Sequence, residues 1–208
     1  MIQGIIGRKK GMAQVFTDKG EAQAVTLIEA GPCTVIQVKT RENDGYNAAQ
    51  LGFSESNKLN SAQKGHVKTL GNFRYLREVR LASTEGINVG DKIDASIFSP
   101  GDKVKITGVS KGRGFAGVVK RYHFHGGPKT HGQSDRNRAP GSIGSTTTPG
   151  RVLKGRRMAG HMGNARITVS GVEIYSSDAH KNIIMVKGAV PGADNGLVLI
   201  GKTSRGKK

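Results

Sequence analysis

Short runs rich in apolar residues, with single polar positions among them, occupy 24–29, 34–39 and 48–53, separated by the turn-formers Gly31-Pro32 and Asn43-Asp44-Gly45. Such runs punctuated by turn residues predict three β-strands. Between 57 and 80 the pattern loosens. Asn60 or Ser61 is placed to cap a short helix running through His66 toward Leu70, and a second helical turn is predicted near Leu76. Strand signals return with Val89-Gly90-Asp91-Lys92-Ile93 and Pro100-Gly101-Asp102-Lys103-Val104, turn-then-apolar phrases that suit connections between barrel strands. A strand over 104–109 follows. Beyond residue 166, Ile167 with Val169, Val172 with Ile174, the run 183–186 and the run 197–200 behind Asn195-Gly196 predict at least four more strands. The expected fold class is therefore mainly β with minor α.

The stretch 111–166 sustains neither the strand period of about 2 nor the helical one of about 3.6 residues. It holds 12 of the chain's 31 glycines together with Pro128, Pro140 and Pro149, so it cannot build a core of its own. The strands before and after it then belong to one β-domain that the stretch interrupts. Charge sharpens the division. These 56 residues carry 12 Lys/Arg against one acid, Asp135, while the other 152 residues carry a net charge of only +7 out of the chain's +18. A further +4 lies at Lys202, Arg205, Lys207 and Lys208, leaving a nearly neutral body that can fold as an ordinary domain. A pI of about 10.3 concentrated in a coreless segment points to a polyanion that orders it. If 121–163 runs out and back, each arm reaches at most roughly 70 Å at about 3.3 Å per residue.

Other chemistries fare less well. Cys33 is the single cysteine and sits in a strand-like Pro-Cys-Thr-Val-Ile run, so it reads as a small buried residue without a disulfide. The start, Met-Ile-Gln-Gly-Ile-Ile-Gly-Arg-Lys-Lys, has too short an apolar run for a signal peptide, and no stretch approaches a membrane span, so the expectation is a cytoplasmic protein with no membrane partner. Gly112-Arg-Gly114-Phe-Ala-Gly117 fits the spacing of a dinucleotide fingerprint, but the apolar stretch behind it ends at Tyr122-His-Phe-His, leaving no room for a crossover helix. Glycines that let backbone approach phosphates, flanked by Lys111, Arg113, Lys120 and Arg121, account for it better. His123, His125 and His131 lie near Lys129 and Arg136 without a cysteine, which disfavours a divalent metal and favours contacts to RNA. No base-and-orienter arrangement for catalysis is discernible, so no enzyme, cofactor, metal or small-molecule substrate is expected. Aromatics at 5% with no Trp favour recognition of folded RNA through phosphate, 2′-OH and shape over a single-strand stacking reader. A sequence-indifferent DNA-compacting protein shares the charge and is the competing binder.

The stretch 98–121, ending Ser110-Lys-Gly-Arg-Gly-Phe-Ala-Gly-Val-Val-Lys-Arg121, closely resembles the signature of the bacterial-type large-subunit ribosomal protein L-three family. So do Gly4-Ile-Ile-Gly-Arg-Lys-Lys-Gly-Met12, Arg138-Ala-Pro-Gly-Ser-Ile-Gly144, Thr148-Pro-Gly-Arg151 and Gly155-Arg-Arg-Met-Ala-Gly-His-Met-Gly163, in order along the chain. The resemblance implies a bent β-barrel of the translation-protein type built from 1–56, 97–120 and 164–208. It also implies an inserted small helical subdomain over 57–96 and a largely irregular extension over 121–163 that penetrates RNA.

Its implied partners are large-subunit ribosomal RNA and neighbouring ribosomal proteins, with an early role in subunit assembly. Together with the local charge, it makes Lys111, Arg113, Lys120, Arg121, His123, His125, Lys129, His131, Arg136, Arg138, Arg151, Lys154, Arg156, Arg157, His161 and Arg166 the expected RNA contacts. It places Ser142, Ile143, Gly144, Ser145, Thr146, Thr147 and Thr148 at the extension tip, near the peptidyl transferase centre. The chain departs from the family pattern at Lys105, commonly Asp; at Ala13, commonly Thr; and at Ser145, where some bacterial members carry a methylated glutamine.

Overall fold

The computed structural model of the chain describes residues 2–67 and 70–203, so the tail cations Arg205, Lys207 and Lys208 lie outside the described residues. In chain order the elements are β1 Gly4–Phe16, β2 Ala22–Ala30, β3 Cys33–Lys39, α1 Arg41–Asp44, β4 Ala48–Glu55, α2 Ser61–Val67, β5 Phe73–Arg80, β6 Lys92–Ile93, β7 Lys103–Val109, β8 Phe115–Ala116, α3 Val118–Tyr122, β9 Gly160–His161, β10 Arg166–Asp178, β11 Ile183–Lys187 and β12 Leu197–Lys202. The mainly β expectation holds. None of the described helices is long and apolar enough to cross a membrane.

The chain divides into two compact units, the segment Ser110–Ala165 and a body made from the residues on either side of it. In the body, β1, β12, β7, β10, β11 and β2 close into an antiparallel barrel. The sequence explains the closure locally. Ile28, Val104, Ile106, Ile174, Ile184, Val186, Val198 and Ile200 alternate with more exposed neighbours and are buried in one core, which Ile5 and Ile6 of β1 join. Two bends let long strands take part. The register of β1 slips between Lys9 and Gly11, and that of β10 slips between Val169 and Val172, where Gly171 has a φ of +77°. Glycine tolerates that left-handed conformation, so the strand bulges and continues. The two strands predicted around 167–169 and 172–174 are consequently one strand of 13 residues.

The second sheet, in the order β5-β4-β3-β6, corrects the predicted layout. β3 and β4 have the predicted positions but pair here, outside the barrel, because alternation marks a strand without naming its neighbour. Their Cys33, Val35, Ala49, Leu51 and Phe53 join the same core as the barrel residues. Within 57–96 the first helix forms as α2, and Asn60 and Gln63 exchange side-chain-to-backbone bonds of 2.8 and 3.2 Å in a capping box. The turn predicted near Leu76 is instead β5. Its charged residues Arg74, Arg77, Glu78 and Arg80 mimic a helical surface, yet pairing of the whole strand with β4 overrides that preference.

Two body residues are tied by unusual bonds. The Lys9 ammonium is buried and donates to the carbonyls of Val190 and Gly192, both at 3.2 Å, so a residue of the first motif serves the fold. Cys33 is buried as expected. Burial pushes its thiol up to about 12, opposed by a bond to the Ile6 carbonyl.

Candidate nucleic-acid interface

The segment begins as a zipped stem. Ser110 N–H donates to Ala165 O at 2.9 Å and its hydroxyl accepts from Ala165 N–H at 3.2 Å, while Arg113 N–H donates to Met162 O and Met162 N–H to Gly114 O, both at 2.9 Å. The ladder ends with Phe115 opposite His161 and Ala116 opposite Gly160. One glycine makes this approach possible: Gly163 has a φ of +77°, and a Cβ there would collide with the Lys111 carbonyl, whereas one on Gly160 would meet only the movable Arg121 guanidinium.

The fingerprint-like glycines lead only into the five-residue α3, with Gly117 at its start. His123 ends the helix at a φ of +60°, its N–H directed at the carbonyls of Val118 and Val119. No crossover helix of a dinucleotide fold exists here, as the sequence implied. Farther out, Gly127 N–H donates to Asn137 O at 2.9 Å. Over 142–148 the Ser142 hydroxyl donates to Gly144 O at 2.8 Å, and the Arg156 guanidinium donates to the Ser142 carbonyl. Arg156 thus ties the returning chain to this loop, whose shallow recess is lined by Ile143, Ser145, Pro149, Arg151 and Leu153.

The cations are nearly all presented to solvent. Lys111, Arg113, Lys120, Lys129, Arg136, Arg138, Arg151, Lys154, Arg156 and Arg157 are exposed, as are His123, His125, His131 and His161. Ser142, Ile143, Gly144, Ser145, Thr146, Thr147 and Thr148 are exposed too. Arg121 is half-buried and partly spent inside the segment. Its guanidinium donates to Met158 O at 2.8 Å and lies 4.9 Å from the Tyr122 ring centre, with Arg157 at 5.6 Å. Arg166, although exposed, belongs to the body as the first residue of β10.

Electrostatics separates the segment from the body. Among the described residues the ion pairs are Lys10–Glu29, Lys39–Glu78, Lys187–Glu173 and Lys202–Asp102, all in the body. Eleven Lys/Arg of the segment stand without a carboxylate partner, and its one acid, Asp135, accepts a 3.4 Å bond from Ser134. Such a surface repels itself and attracts a polyanion. The histidines do not converge: no three His, Cys, Asp or Glu among the described residues are grouped to hold a metal. Sequence reasoning missed the Arg156 tie and the second guanidinium on Tyr122. Both join residues from opposite arms of the excursion, a pairing that linear spacing does not encode.

The family model for Ribosomal protein L3 matches residues 78–181. Among curated relatives, "Large ribosomal subunit protein uL3" of Dehalococcoides mccartyi is 58% identical over 205 residues, covering 99% of this chain and 100% of the relative. The proteins of the same name from Herpetosiphon aurantiacus and Geotalea daltonii are 54% and 49% identical, each covering 100% of both chains. With its whole length matched at that identity and its signature on the zipped, cationic segment, the chain belongs to the ribosomal protein L3 family.

Proposed function

We propose that this chain is a structural constituent of the large ribosomal subunit, binds large-subunit ribosomal RNA directly through Ser110–Ala165, and acts in the cytoplasm. The family is structural and non-enzymatic, and its relatives carry the large subunit in their names. The observation that carries the reading is the segment's eleven unpaired Lys/Arg on a backbone with almost no core. That surface matches the phosphates of a folded RNA.

In this reading the barrel is the bent barrel of translation proteins and docks on the particle surface. The extension displaces counterions and fixes the packing of RNA helices around it, so that assembly nucleates early. Residues 142–148 support RNA near the peptidyl transferase centre, and neighbouring ribosomal proteins complete the surroundings. Ser145 offers no side-chain amide for the methylation found in some relatives.

The test is a salt titration of the purified chain on a transcript of large-subunit ribosomal RNA, with duplex DNA as competitor. If about half of the 12 cations over 111–166 meet phosphates, the log-log slope should be about −4 to −5. A slope near zero, or equal binding to DNA, overturns the reading.

A further inference from the structure

Phe115 is 80% exposed, more than Phe16 at 69%, although it sits on an ordered ladder whose next residue, Ala116, is 3% exposed. The segment's other large aromatic rings have partners within it: Tyr122 lies against Arg121 and Arg157, and its ring centre is 6.2 Å from that of Phe124. Phe115 has neither a stacked ring nor a guanidinium among the described residues. Its cross-strand partner is His161, and residues directly opposite in an antiparallel ladder present their side chains on the same face. Two flat rings therefore stand side by side toward solvent, held by the stem bonds of Arg113 and Met162.

The setting defines what they take. Around Phe115 the sequence supplies Lys111, Arg113 and the glycines at 112, 114 and 117. A ring flanked by cations suits a flat π-face carrying phosphates on either side. In a paired helix those faces are covered by stacking neighbours. We propose that Phe115, with His161 beside it, is a stacking platform for one unpaired nucleobase. The inference rests on the RNA-binding reading of the segment and adds a base contact to its phosphate contacts.

The chain has no Trp, so Phe115→Trp places a single tryptophan on the platform, excited selectively over the tyrosines at the red edge of its absorption. The full-length variant is titrated with two RNA hairpins identical except for one unpaired adenosine, a sequence-tolerant probe because every base has a π-face. Quenching is expected with the bulged hairpin and not with the paired one. Phe115→Ala and Phe115→Leu should each weaken the bulged hairpin about ten-fold and leave the paired hairpin unchanged. Full affinity of Phe115→Ala, absent quenching, or rescue by leucine overturns the platform while leaving the salt-dependent binding of the wild type intact. A wild type that binds neither hairpin nor ribosomal RNA defeats the parent reading instead. Because the ring is 80% exposed, the melting temperature reports any unfolding separately.

Discussion

In the body, Ile106 and Ile200 face one another across β7 and β12 and are both essentially inaccessible, and the surrounding core draws on both sheets. In the segment the buried apolar side chains are Ala116 and Val118, while Leu153 is 62% exposed and Phe115 more so. One region is specified by what it excludes from water. The other is specified by tight backbone approach at glycine and by a few guanidinium-to-carbonyl ties, and its charge has no ion-pair partner within the segment. Under the proposed reading, a single chain then combines a cored domain with a surface whose stability is completed by binding.

Hydrogen exchange should reveal the largest difference. Amides of β7, β10 and β12 are expected to exchange only through global opening, about 5–15 kcal/mol for an ordinary domain. Amides over 121–163 should exchange with little protection in the free protein and become protected, together with resistance to protease, when ribosomal RNA is added. Barrel-like protection of 121–163 without RNA would break the comparison.

A cavity experiment asks the same question through side chains. Ile106→Ala removes buried methyl and methylene groups from the body and should cost about 2–5 kcal/mol in denaturant unfolding. Leu153→Ala removes comparable apolar volume from the segment, yet its cost should stay within about 0.5 kcal/mol because the side chain is already in water. Equal costs would mean that Leu153 is packed in an apolar core of the segment's own.

The body was legible because burial and period coincide there. The predicted runs at 24–29, 34–39, 48–53 and 104–109 all became strands with boundaries shifted by one or two residues. What failed were features fixed by distant partners: the sheet to which β3 and β4 belong, the strand identity of Leu76, and the continuation of β10 through Gly171. β1 was missed as a strand because Gly7, Arg8, Lys9, Lys10 and Gly11 break the alternation, although a bulge and the carbonyl acceptors of Lys9 accommodate them. The segment was legible in charge and in its lack of a core. Its internal ties were not, because Arg156 with Ser142 and Arg157 with Tyr122 meet only after the chain has doubled back.

The smallest effect sharpens the electrostatic half of the comparison. The Lys202 ammonium, 2.8 Å from Asp102, and the Ser99 N–H, at 3.1 Å, hold the Asp102 carboxyl below the usual carboxylate range. A carboxyl depressed in the folded state binds fewer protons there than in the unfolded chain, so its stabilisation is present above the unfolded value of about 3.9 and fades as pH falls through the folded one. Asp102→Asn should therefore destabilise the body at neutral pH, by about 0.2–1 kcal/mol for a pair this open to solvent, and the deficit should shrink below about pH 4. Asp135→Asn, in the segment and without a basic partner, should leave unfolding unchanged at either pH. Melting curves of the three proteins at neutral and acidic pH decide it. A loss for Asp135→Asn that matches Asp102→Asn would show that Asp135 does hold an ion pair within the chain, and the electrostatic separation of segment from body would fail there.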